Sequence, residues 1–246
     1  MKTMQPQPHD AWAEIYDCVY EEQFRDVYST LTENTISYIQ SLMPAGSAIV
    51  DFGAGTGRLA IPLAQAGYAV TAVERSLPML NRLRAKDQNQ SIQCVHSDIG
   101  SYQSDTQFDL ALCIFTIVSY LLDENALQLA LQSAYTALKP GGAMLLDVPN
   151  RALFQNTEFT NEHIRRIVQV EKIEPFQKNL YAYNDHIEIF NDNQWQHYDD
   201  SFHIRYWSTK EIAGQAKHCG FAHDPQENQN ASYATYMKFS KPSTDR

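Results

Sequence analysis

Through the first 150 positions, short apolar runs, most of them ending at or near an acid, alternate with stretches of helical periodicity. The runs are Ile49-Val50-Asp51-Phe52, residues 69–74 ending in Glu74, residues 91–98 ending in Asp98, residues 108–115 ending in Phe115, and residues 143–148. Near-continuous apolar runs of this length suit strands covered on both faces of a parallel sheet. Between them, residues 58–66 read as a helix with Pro62 in its first turn and Gly67 as its C-terminal cap. Ser76 is placed as the N-cap of the next helix, with Pro78 just inside it, and Asp123 opens a third that runs to about Leu138. Strand and helix in alternation predict an α/β fold, a doubly wound sheet with helices on both faces.

The flanks have a different texture. In residues 11–43, Trp12, Ile15, Val19, Phe24, Val27 and Leu31 recur at helical spacing, and Pro44-Ala45-Gly46 ends the pattern. After Pro149 the period drops to two. Residues 167–173, 179–190 and 195–207 read as antiparallel strands, with Asn191-Asp192-Asn193 as a hairpin turn. Residues 151–207 hold eleven aromatics, Phe176 among them. Ser208-Thr209-Lys210-Glu211 is a capping box that starts a helix ending at Gly220. Residues 234–239 form a last apolar strand, closing a sheet of seven strands with its hairpin. The expected division is 1–45, 46–150, 151–207 and 208–246, with residues 1–10 a disordered lead-in and the tail after Lys241 frayed.

Composition narrows the function. The 246 residues are 43% apolar and 20% charged, as in a globular chain, and no run is apolar enough for a membrane helix. The polar start lacks the apolar region of a signal peptide, so a cytoplasmic location is expected. A net charge of −10 argues against nucleic acid as a partner, because backbone phosphates need clustered Lys and Arg. The four cysteines are dispersed with no C-x-x-C, so no metal site is expected.

The most informative stretch is Asp51-Phe52-Gly53-Ala54-Gly55-Thr56-Gly57-Arg58. Glycines at the end of a strand let backbone approach a ligand closely. The pyrophosphate fingerprint G-x-G-x-x-G would need glycine at position 58, where Arg58 stands, which argues against a nicotinamide-dependent oxidoreductase. With its third glycine one place early, the loop resembles that of the class I S-adenosylmethionine-dependent methyltransferases. The likeness extends in order to Glu74, Ser76-Leu77-Pro78-Met79-Leu80, Asp98-Ile99, the strand from Phe108, and Leu138-Lys139-Pro140-Gly141-Gly142. It covers residues 11–240 or so, and the missing N-P-P-Y tetrapeptide counts against DNA and protein-glutamine substrates.

The resemblance implies a Rossmann-like, seven-stranded, mostly parallel sheet with an N-terminal helical lid and an antiparallel β insertion after the fifth strand. It implies S-adenosylmethionine as cofactor, held by Asp51, Gly53, Ala54, Gly55, Gly57 and Glu74 at the loop and ribose end. Arg75 would join them in holding the cofactor, Met79, Asp98 and Ile99 would flank the adenine, and Phe115 would face the transfer site. Tyr16, Tyr20 and Tyr28 are the expected substrate-binding residues, since Tyr16-Asp17-Cys18-Val19-Tyr20 matches the Y-D-x-x-Y opening of small-molecule enzymes. In-line transfer from an activated sulfonium depends chiefly on alignment. No catalytic residue is therefore assigned, and His186 and His203 are kept only as candidate bases. The expected activity is N- or O-methylation of a small-molecule amine or hydroxyl. The alternative is a binding module of the same fold without catalysis. The aromatic insertion is expected to cap the site or to pair subunits as a homodimer.

Overall fold

The computed structural model describes residues 6–173 and 178–243. Phe176, residues 1–5 of the expected lead-in and residues 244–246 of the tail lie outside the described residues.

After a short 3-10 turn at Asp10–Trp12 come α1 (Tyr16–Phe24) and α2 (Asp26–Leu42). The sequence pattern predicts one helix here. The structure breaks it at Arg25, whose φ of 42° and ψ of −126° cannot continue a helix. The core follows as β1 (Ala48–Phe52), α3 (Ala60–Gln65), β2 (Ala69–Glu74), α4 (Leu77–Lys86), β3 (Gln93–His96), β4 (Phe108–Cys113), α5 (Glu124–Ala137) and β5 (Leu138–Pro149). Then come β6 (Thr157–Thr160), β7 (Ile164–Lys172), β8 (Leu180–Asn191), β9 (Gln194–Arg205), α6 (Thr209–His218), β10 (Gln229–Asn230) and β11 (Ala234–Ser240).

Seven strands form one sheet in the order β10-β11-β5-β4-β1-β2-β3. β1 to β5 are parallel to their neighbours, and β11 runs antiparallel along β5. Successive residues of a strand face opposite sides, and here both sides are covered. Val50 and Phe52 pack with Leu127, Leu131, Ile212 and Phe239 on the α5 and α6 side. Ile49, Leu110 and Leu145 pack with Ile39, Leu63 and Leu83 on the side of α2, α3 and α4. This double burial is why the core strands read as apolar runs rather than alternating ones.

The capping box is present. Ser208 Oγ accepts from the Glu211 N–H, and the Glu211 carboxylate accepts from the Ser208 N–H at 2.8 Å. Ser208→Ala is expected to cost about 1 kcal/mol, read as a lower urea midpoint at unchanged slope.

A second sheet, β6-β7-β8-β9, is antiparallel. Asp192 and Asn193 turn its hairpin with φ of 48° and 61°, the double positive φ of a tight two-residue loop. The N-terminal segment lies between this sheet and the core. Trp12, Tyr16 and Val19 pack against Met79 of α4 below and Ile164 and Ile187 above. Arg166, on β7, ties the layers together. Its Nε and Nη2 donate to both Asp185 oxygens at 3.0 and 2.7 Å, and its Nη1 donates to Gln23 of α1 at 2.7 Å. No described helix is long and apolar enough to cross a membrane.

Candidate active site

The loop after β1 is shaped by its glycines. Gly53, Gly55 and Gly57 have φ of 71°, 56° and 91°, where other residues are strained. Two of them also have a packing reason. A Cβ on Gly53 would collide with Ile117, and one on Gly57 would lie 2.9 Å from Leu83 Cγ. Gly55 has room, with Met79 Cε at 3.5 Å, so only its backbone conformation demands glycine. Glu74, at the end of β2, ties this loop down. One carboxylate oxygen accepts from the Gly55 N–H at 2.9 Å and the other from the Ser76 N–H at 2.7 Å. Burial raises the Glu74 pKa, opposed by these two bonds.

Beside the loop, the Asp51 carboxyl is buried, and among the described residues nothing donates a hydrogen bond to it. Burial pushes its pKa from the ordinary 3.8 up to about 7, with the Glu74 charge adding and the Arg58 cation opposing. The cofactor-free fold therefore keeps Asp51 protonated to higher pH than an ordinary carboxylate. The stabilising contribution of that protonation is complete below the ordinary carboxylate pKa and is lost as pH rises through about 7. Asp51→Asn is accordingly expected to melt increasingly above wild type as pH is raised from about 5 to 8 without cofactor. A constant gap between the two melting curves would show that Asp51 does not titrate there.

On the far side, β4 stops at Cys113 because Phe115 and Thr116 adopt positive φ, 72° and 66°. Two successive non-glycine residues in this region need support from their surroundings. Asp147 of β5 supplies it, accepting the Thr116 N–H at 2.9 Å. Burial raises the Asp147 pKa to about 6. The turn presents the Phe115 ring to Tyr20 and Tyr28, at centroid distances of 5.5 and 5.9 Å, and to the Arg58 guanidinium at 4.5 Å.

These elements enclose a hollow of about 1000 Å³ including its open mouth. Asp51, Gly53, Ala54, Gly55, Glu74, Arg75, Met79, Asp98, Ile99 and Phe115 line it, as do Tyr16, Tyr20 and Tyr28. Gly57 sits one position away and packs against Leu83 and Ile61 instead. Asp98 spends one oxygen on capping the following turn, accepting from the Gly100 N–H at 2.9 Å.

The two candidate bases do not reach the hollow. His186 and His203 lie on the outward face of the second sheet, because the residues of β8 and β9 alternate and Ile187 and Ile204 take the inward positions. His186 binds Asp199 there at 2.6 Å.

Among the lining residues not singled out from sequence, Arg58, Tyr120 and His9 matter most. Arg58, beside the glycines, donates to Thr32 Oγ1 at 3.1 Å and has no ion-pair partner among the described residues. Tyr120 bonds His9 Nε2 at 2.8 Å. His9 overturns the expected disorder of residues 6–10. Its ring is buried among Trp12, Tyr16, Tyr120 and Phe202, and its backbone N–H donates to Asp200 at 2.6 Å. Burial, with the Arg166 and Arg75 cations, lowers the His9 pKa to about 3. Nothing local to Pro8-His9 marks this, since these partners come from distant segments.

The site thus offers buried carboxylates, backbone donors, an apolar slot beside Met79 and Ile99, and an aromatic chamber under the N-terminal segment. Residues 49–142 match the family model described as "Methyltransferase domain". The Bacillus subtilis (strain 168) protein named "Putative methyltransferase YqeM" is 25% identical over 219 residues, covering 80% of this chain and 85% of that protein. The cypemycin N-terminal methyltransferase of a Streptomyces species is 32% identical over 145 residues, 57% of this chain and 59% of that one. Among solved structures, the sugar N-methyltransferase KedS8 from Streptoalloteichus sp. superposes with a TM-score of 0.75, covering 99% of both chains at 15% identity.

Proposed function

Starting from a chain that carries a methyltransferase domain and the class I S-adenosylmethionine-dependent methyltransferase fold, we propose that it methylates the nitrogen of a small-molecule amine. Asp51, Glu74 and Asp98 fit the cofactor's cationic, diol and amine groups, and each oxygen of Glu74 keeps a lone pair beyond its backbone bond. Met79 and Ile99 form the slot for the adenine ring. When bound, S-adenosylmethionine supplies a methyl group already activated by its positive sulfur.

The protein's part is then to hold, orient and exclude water. Residues 46–150 carry the cofactor site, and residues 208–246 complete their sheet. Residues 1–45 act as the lid and 151–207 as the cap against which it closes. Tyr16, Tyr20 and Tyr28, with Phe115, would wall the acceptor.

The observation that favours nitrogen over oxygen is the weakness of the tyrosine and histidine bases in this chamber, with Asp51 on the same wall taken up by the cofactor's cation. Burial holds the Tyr16, Tyr28 and Tyr120 hydroxyls above the ordinary phenol range, so they stay protonated. His9, with a pKa near 3, is a poor proton acceptor. A hydroxyl acceptor needs a positioned base, whereas an amine needs only a free lone pair. The names of the cypemycin and KedS8 enzymes support an amine as well. Arg58, stacked on Phe115 without a carboxylate partner among the described residues, suits an acceptor that also bears an anionic group.

The test is calorimetric titration with S-adenosylmethionine, followed by transfer of a labelled methyl to paired amines and alcohols, each with and without a carboxylate. Labelling of amines alone is expected, with the carboxylate preference lost in Arg58→Gln. Labelling of the alcohols would overturn the assignment to nitrogen. Cofactor binding with no transfer to any acceptor would favour the binding module instead.

A further inference from the structure

The outward face of the second sheet carries a cluster that the proposed methyl transfer does not use. His186 and Glu188 are two apart on β8 and so project to the same side. Across on β9, His197 pairs with Glu188 and Asp199 with His186, which makes a two-by-two block of side chains. One donor atom from each of His186, Glu188 and His197 can be chosen so that all three lie within 4.8 Å of one another. From the same Glu188 oxygen, His197 Nδ1 is 3.0 Å away and His186 Nε2 is 3.8 Å away.

The surroundings orient these atoms. Asp199 binds His186 Nδ1 at 2.6 Å, which turns Nε2 toward Glu188. A carboxylate on the second imidazole nitrogen is the usual support of a metal-bound histidine. Arg165 occupies the other Glu188 oxygen at 3.2 Å and is itself stacked over Trp195 at 4.2 Å, leaving Glu188 Oε1 free to face the two rings.

We propose that His186 Nε2, His197 Nδ1 and Glu188 Oε1 bind one divalent transition-metal ion of the zinc class, with Asp199 as the positioning residue. Two imidazoles and one carboxylate suit zinc, nickel or copper, whereas magnesium and calcium prefer all-oxygen shells. Metal–nitrogen bonds of about 2.0–2.1 Å require the three donors to close in on the ion, and side chains at a solvent-facing surface can do so. The fourth position opens to solvent. Bound there, the ion braces β8 against β9 directly behind Asp185, the residue that holds Arg166. Without an ion, the same contacts form an ordinary network of ion pairs, and the two states differ in what they bind.

The experiment uses the full chain without a histidine tag, stripped of metal and titrated calorimetrically with Zn²⁺, then Ni²⁺, then Mg²⁺. One Zn²⁺ per chain is expected, with Ni²⁺ in the same site and no response to Mg²⁺. His186→Ala and His197→Ala should each lose that binding, and Asp199→Ala should weaken it by about tenfold. His203→Ala, on the same face outside the cluster, should bind zinc as wild type does. Melting temperature should rise with Zn²⁺ in wild type and not in His197→Ala. All the substituted side chains are at least partly exposed, and circular dichroism with an unchanged S-adenosylmethionine affinity would show that each variant is folded. Stoichiometric zinc binding that survives in the His186→Ala/His197→Ala double variant, or wild-type binding no tighter than that variant's, would overturn the proposal.

Discussion

Replacing Glu74 with alanine is expected to weaken S-adenosylmethionine binding by about 100-fold while leaving the chain folded. The buried carboxylate accepts one backbone N–H from Gly55 and one from Ser76, so it fixes the glycine loop against the start of α4. Hydrogen bonds to an ionised acceptor are worth about 1.5–3 kcal/mol each, and about 1.4 kcal/mol is a factor of ten in affinity. Losing the two oxygens whose remaining lone pairs fit the cofactor's diol accounts for the magnitude, and the orphaned Gly55 and Ser76 N–H groups should show as a lower melting temperature. Glu74→Gln keeps the volume and one acceptor oxygen. Its amide group turns a donor toward the second N–H, so an intermediate loss of about tenfold is expected. Calorimetric titration gives both numbers, and a melting curve separates loss of binding from loss of fold. A wild-type dissociation constant for Glu74→Ala would remove Glu74 from the cofactor site.

The second large effect is expected at Arg166. Its side chain is 3% exposed and that of its partner Asp185 is fully buried. Arg166→Met leaves the Asp185 carboxylate buried without its counterion, which typically costs about 3–5 kcal/mol. Replacing both residues, as Arg166→Met with Asp185→Leu, removes the unpaired charge and should recover most of that stability. The functional consequence should not recover with it. Arg166 also binds Gln23 and lies 5.2 Å from the rings of Trp12 and Tyr20, so it holds the N-terminal segment against the second sheet. The double variant is therefore expected to unfold near the wild-type urea midpoint yet retain a raised KM for the cofactor. If stability and KM both returned to wild type, the ion pair would be structural only and the lid would be held by apolar packing.

Much of the core could be read along the chain because its determinants are local or periodic. β1, β2 and β4 are apolar on both faces, so their runs stand out whatever the register. Gly53 and Gly55 are legible because their backbone angles admit little else. Ser76 and Ser208 cap as expected, since a cap is a contact between neighbours three residues apart.

The second sheet was legible in its strands but not in its facing. Period two says that alternate residues share a side, and it does not say which side is inward. Here the outward face also carries aromatics, Phe190 and Trp195 in contact at 5.3 Å, so apolarity did not mark the inner face. That ambiguity is why His186 and His203 could be expected at the pocket although they point away from it. β6, four residues long, gave too short a run to notice.

Residue order alone thus settled the α/β core, the glycine loop and the acids that close it, because each depends on a neighbour or on burial from both sides. Which distant groups meet was settled by the folded chain. His9 reached the pocket wall, Arg166 joined the lid to the second sheet, and Asp147 steadied Phe115 and Thr116. Each of these contacts spans tens to more than a hundred residues and has no period, so no local pattern could have announced it.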